Sequence, residues 1–95
     1  MSEKFTVEII TPGNSIIKTE AEEVVLPAYE GEIGILKNHV SLITFLRPGF
    51  IKIINESKKI FFVEEGTVEF VNNNLLVLSS TVTELAKINN NLVES

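Results

Sequence analysis

A chain of 95 residues, 44% of them apolar and 22% charged, has enough hydrophobic matter for one packed core that buries roughly two-thirds of its unfolded surface, and little room for a second domain. Thirteen acidic against eight basic residues give a net charge of −5, and no Lys/Arg-rich stripe is present to neutralise a run of phosphates, which argues against a nucleic-acid partner. Every acid is Glu and there is no Cys, so the usual starting residues of Ca²⁺ loops and Mg²⁺ phosphate sites are missing, as are disulfides, thiolate metal sites and a Cys nucleophile.

Apolar residues recur at every second position or in short blocks, with turn residues between them at regular intervals, so the chain reads as all-β. Phe5, Val7 and Ile9 share one face of a first strand, which Pro12, Gly13 and Asn14 end with turn chemistry. Ile16 and Ile17 open a second strand. Val24 to Leu26 form a short third one behind the acidic run Glu20, Glu22 and Glu23, and Pro27 breaks the pattern before a turn at Glu30 and Gly31.

Further strands are expected at Glu32 to Leu36, Leu42 to Leu46, Phe50 to Ile54, Lys59 to Val63, Thr67 to Val71 and Leu75 to Leu78. Asn72 to Asn74 suit a hairpin because Asn tolerates positive φ, and Pro48 with Gly49 suits the centre of a type II turn. Thr81 and Glu84 have capping-box spacing while Val82 and Thr83 favour strand, which leaves a short helix or a last strand open. The predicted core includes Val7, Ile9, Ile35, Ile53, Phe62, Val68, Phe70 and Val77.

Met1 to Thr6 is short and polar, so neither a secretory leader nor a presequence is expected, and no apolar run approaches the ~20 residues needed to span a bilayer. Chemistry has few footholds. His39 is the single histidine and has Glu30 and Glu32 as its nearest carboxylates, but no nucleophile motif accompanies it, so a loop or interface histidine is the stronger reading. Glu30 and Glu32 point the same way on one strand and lack the facing geometry of a paired-carboxylate site. Gly31 and Gly34 lead into neither a Lys-Ser/Thr pair nor a helix, so no phosphate cradle, bound nucleotide, metal or cofactor is expected.

Leu42 to Leu46, Ile60 to Val63 and Leu75 to Leu78 are apolar on both faces or nearly so, although a two-layer sandwich needs only one apolar face per strand. Either loops, the tail or closure at the corners cover the outer faces, or an outward face docks a partner.

The run from Leu26 to Gly49 (LPAYEGEIGILKNHVSLITFLRPG) resembles the signature region of the ε subunit of bacterial and plastid F-type ATP synthases. In that family a Gly-Glu-hydrophobic-Gly turn leads to Asn/Gly-His-Ala-Pro-Leu, a strand and a Lys-Pro-Gly turn. The spacing is intact here from Gly31 through Gly49, and the likeness continues through Phe61 to Ser79, covering about residues 3 to 86. Val40 and Ser41 stand where Ala and Pro are usual, and Glu65 replaces the first of a glycine pair.

The resemblance implies a flattened two-sheet β-sandwich of about ten strands, residues 1–86, followed by a short polar tail, 87–95, too short for the family's C-terminal pair of helices. It also implies a non-catalytic rotor part that binds the γ subunit and the c-ring at the cytoplasmic face of the bacterial inner membrane and inserts no segment into lipid. By position, Glu32 matches a residue near the c-ring loops, and His39 and Thr44 match positions facing γ. The competing readings are a small β-sandwich module for a ligand or peptide and, more remotely, a hydrolase built on His39.

Overall fold

A computed structural model of the protein describes residues 3–85. Ten strands follow one another: β1 (Phe5–Thr11), β2 (Asn14–Ala21), β3 (Glu23–Ala28), β4 (Gly31–Leu36), β5 (Leu42–Leu46), β6 (Gly49–Ile54), β7 (Lys58–Val63), β8 (Gly66–Val71), β9 (Asn74–Leu78) and β10 (Val82–Glu84). The choice left open at Thr81 to Glu84 falls to a strand, since Val82 pairs with Val63 and Glu84 with Phe61. The expected tail, 87–95, and the domain boundary after residue 86 lie outside the described residues.

Hydrogen bonding runs β10-β7-β6-β3-β5-β8-β9-β1-β2, with β4 on the second edge of β3. One curled sheet thus closes on itself as two layers. All pairings are antiparallel except β1 with β9. The corner is β3: Glu23 to Val25 pair with β6, whereas Ala28 pairs with Leu46 of β5. Pro27 sits between these partners and stays within the strand instead of breaking it, contrary to the sequence expectation. A residue without an N–H fits where the ladder changes partner, and the Pro27 carbonyl still accepts from Arg47 N at 2.9 Å.

The interior is one cluster drawn from both layers, including Phe5, Val7 and Ile9 of β1, Val24 and Leu26 of β3, Ile51 and Ile53 of β6, Val68 and Phe70 of β8, and Leu75 and Val77 of β9. Seven of the eight predicted core residues are buried. Phe62 is the exception. On β7 the inward positions are Phe61 and Val63, and Phe62 lies half-buried on the outer face, its ring edge-on to Phe50 at 5.4 Å. Period-two alternation means that a one-residue error in phase exchanges the two faces, and an apolar run on both faces carries no internal phase signal.

Three turns follow from backbone chemistry. Asn72 and Asn73, at φ 51° and 62°, form the positive-φ pair of a two-residue hairpin between β8 and β9, as their sequence suggests. Gly13, at φ 81° behind Pro12, turns β1 into β2. The expected type II turn at Pro48 and Gly49 does not occur, because Gly49 is not in the left-handed region. It opens β6 where an added Cβ would lie 2.7 Å from Pro27 Cβ, so close packing at the corner, and not φ, requires glycine there.

Candidate interaction surface

The β4–β5 connection carries His39. Lys37 and Asn38 form a tight turn in which His39 N donates to Leu36 O at 3.0 Å, with Asn38 at φ 70° supplying the left-handed residue. The half-buried His39 ring packs edge-on to Phe70 at 6.0 Å, and Phe70 in turn meets Phe5 at 5.5 Å, which anchors the loop to the core. His39 Nδ1 donates to Val40 O at 2.8 Å, so its near hydrogen-bond partner is a carbonyl and not a carboxylate. That arrangement suits a positioned loop histidine better than an acid/base pair.

His39 and Thr44 lie together on the rim of a shallow hollow of about 250 Å³, shared with Glu30, Ile33, Leu42 and Ile43. Glu32 is elsewhere. It borders a separate hollow of about 540 Å³ at the corner, with Pro27, Arg47, Pro48, Phe50 and Lys52. The three residues singled out from sequence therefore divide between two surfaces, His39 and Thr44 on one and Glu32 on the other. Arg47 shapes the ground between them, with its guanidinium 5.8 Å from the Tyr29 ring centroid and Nη1 donating to Tyr29 O at 3.4 Å.

Alternation along β5 turns Leu46 inward and leaves Ile43 75% and Phe45 63% exposed. On the same outer face, Phe45 is opposite Thr67, Thr67 is opposite Leu78, and Leu78 is beside Ile10. Two of the three doubly apolar strands noted in the sequence, β5 and β9, thus leave Ile43, Phe45 and Leu78 exposed on one outer face. Among the described residues, no cluster of three His, Cys, Asp or Glu side chains could hold a metal ion, and no helix is long and apolar enough to cross a membrane.

Residues 4–85 match the family model described as the β-sandwich domain of the ATP synthase delta/epsilon chain. The chain belongs to the ATP synthase epsilon family. It is 51% identical over 90 residues to the ATP synthase epsilon chain of Pelagibacter ubique, covering 93% of this chain and 69% of that one. With the Aquifex aeolicus epsilon chain it shares 34% over 82 residues, 86% of this chain and 62% of that one. It spans about two-thirds of the length of these relatives.

In solved structures the same fold occurs in the Euglena gracilis mitochondrial ATP synthase (OSCP/F1/c-ring), with a TM-score of 0.82 at 17% identity over 96% of this chain and 59% of that one. It occurs again in the central stalk/c-ring structure of the Tetrahymena thermophila enzyme, with a TM-score of 0.73 at 18% identity over 85% of this chain and 66% of that one. At these identities the likeness concerns the fold.

Glu65, in the turn between β7 and β8, is bonded to the segment that follows β9. Its carboxylate accepts from Ser80 N at 2.9 Å and from the Ser80 hydroxyl, and these two bonds hold its pKa below the ordinary carboxylate value. The neighbouring Ser79, which is buried, donates to Glu65 O at 2.5 Å and accepts from Thr81 N at 3.1 Å. A side chain at 65 thus ties the β7–β8 turn to the segment entering β10. Gly66, next in the chain, lies against the Leu78 carbonyl, which leaves no room for a side chain.

Proposed function

We propose that this domain is a non-catalytic coupling part of the rotor of an F-type ATP synthase, peripheral at the cytoplasmic face of the bacterial membrane. Residues 1–86 act as one domain, with His39 and Thr44 facing γ and Glu32 facing the c-ring loops. The observation that carries this reading is the exposed apolar pair Ile43 and Phe45 on β5, of which Ile43 also lines the His39–Thr44 hollow. Monomeric proteins seldom leave such surface free, and an interface core is where apolar side chains concentrate. Glu32 on its own hollow gives the second partner a separate site, so both can be held at once.

The protein has no cysteine, so single introduced cysteines report position without background. His39→Cys and Thr44→Cys are expected to cross-link to γ and Glu32→Cys to c, with Ser57→Cys, on the β6–β7 turn, giving neither. Cross-linking at Ser57 but not at the other three would refute the placement. Ile43→Lys provides an independent check. Ile43 is directly opposite Glu69, so the substitution makes a favourable cross-strand charge pair and spares the fold while removing apolar contact. The variant is expected to keep its melting temperature and to bind γ at least about tenfold more weakly, a loss in the range of a central interface residue.

A further inference from the structure

The loop that presents His39 is held from outside by another turn. Asn38 N donates to Asn73 Oδ1 at 2.7 Å, and Asn73 Nδ2 donates back to Asn38 Oδ1 at 3.1 Å. Both residues have left-handed backbone, at φ 70° and 62°, and lie 35 positions apart in the chain. Asn73 also accepts from Thr6 N at 3.1 Å through its own carbonyl. One residue of the β8–β9 hairpin therefore joins the start of β1 to the β4–β5 loop.

We propose that Asn73 is a positioning residue for the γ-facing surface: its amide locks the Asn38 turn, which sets the His39 ring on Phe70 and fixes the rim of the hollow before the partner arrives. This rests on the reading of that surface given above and adds to it the part that preorganises it. The physical reason is entropic. A five-residue connection, Lys37 to Ser41, exposed at every position but His39, would otherwise sample many conformations and lose them on binding, whereas two reciprocal amide bonds incur that cost during folding. Asn suits both ends because it tolerates positive φ and offers a donor and an acceptor side by side. The inner segment of the connection is then held at three points: Asn38 by the clamp, His39 N by Leu36 O, and the His39 ring by Phe70.

Asn73→Gly separates clamp from backbone, since glycine keeps the positive φ and loses the amide. Asn72→Gly in the same turn is the control, because the side chain of Asn72 is not part of the clamp. In the isolated full chain, hydrogen exchange at the Asn38 amide is expected to quicken roughly 2- to 12-fold in Asn73→Gly, the range for loss of one hydrogen bond. It should be unchanged in Asn72→Gly. Affinity for the purified γ subunit should fall by a similar factor, roughly 2- to 12-fold, in Asn73→Gly alone.

Adding Asn38→Gly to Asn73→Gly should weaken binding no further, because both changes break the same device. Equal exchange at Asn38 in wild type and Asn73→Gly would overturn the clamp. Faster exchange with unchanged affinity, or an equal loss of affinity in Asn72→Gly, would overturn its role at the interface. If wild type itself failed to bind γ, the reading of the surface would fall and the interface role with it, while exchange at Asn38 would still decide the clamp.

Discussion

Gly66→Ala tests how tightly β8 is packed between its ladder neighbours at the glycine that follows Glu65. A methyl group there would lie 2.5 Å from the main-chain oxygen of Leu78 and 3.2 Å from both Leu46 Cδ1 and Ser79 Cβ, where ordinary contact begins at 3.4 Å. The obstacle cannot rotate away, because it is a carbonyl of β9 directly across the ladder, where Thr67 pairs with Leu78. Leu46 and Ser79 close the remaining directions, and both are buried.

Overpacking costs about 1–3 kcal/mol, with the upper end fitting a rigid main-chain obstacle. Loss of glycine's freedom in the unfolded chain offsets about 0.4–1 kcal/mol of that. The net is roughly 2 kcal/mol of destabilisation, which for a domain of this size lowers Tm by roughly 8–16 °C. Thermal unfolding followed by far-ultraviolet circular dichroism measures it. Gly34→Ala is the companion variant: its methyl would meet only the tip of the Glu23 side chain, at 3.1 Å, which can move, so its Tm should stay near wild type. Equal melting of Gly66→Ala and wild type would refute the packing argument, and so would an equal loss in both variants.

Phe61 is fully buried and Phe62 half-buried beside Phe50, so Phe61→Ala should cost about 3–5 kcal/mol and Phe62→Ala far less, and urea unfolding with the reverse order would overturn the register of β7. Hydrogen bonds lower the pKa of Glu65, to Ser80, and of Glu56, to Lys4, below the ordinary 4.5. The stability they contribute is therefore complete above about pH 4.5 and is lost as pH falls through the lowered values. A urea midpoint difference between wild type and Glu65→Gln should hold steady above that pH and shrink below it. The Lys4 pKa is raised above 10.5 by the same Glu56 contact, so its contribution is complete below that value and is lost as pH rises through the raised one.

Much of this molecule is legible in its residue order. Alternation in Phe5, Val7 and Ile9, and in Val68 and Phe70, marks strand and inward face together, because side chains on a strand alternate whatever the strand packs against. The Asn72–Asn73 hairpin is equally local, since positive φ is a property of the residue itself. The run from Gly31 to Gly49 likewise points to the family without a structure.

Other matters were settled only by tertiary packing. Pro27 stays inside β3 because the strand changes partner there. Gly49 is required by the Pro27 ring and not by a turn, a contact between residues 22 positions apart. Phe61 and not Phe62 enters the core, because β7 takes its phase from pairing Ile51 with Phe61. The Asn38–Asn73 clamp belongs with these. Each asparagine reads locally as a turn residue, and only the closure of the sheet, which sets the β8–β9 hairpin beside the β4–β5 loop, brings a donor and an acceptor on each within reach of the other. Local conformational preference is encoded residue by residue, whereas a contact across 35 positions exists only once the intervening strands have paired.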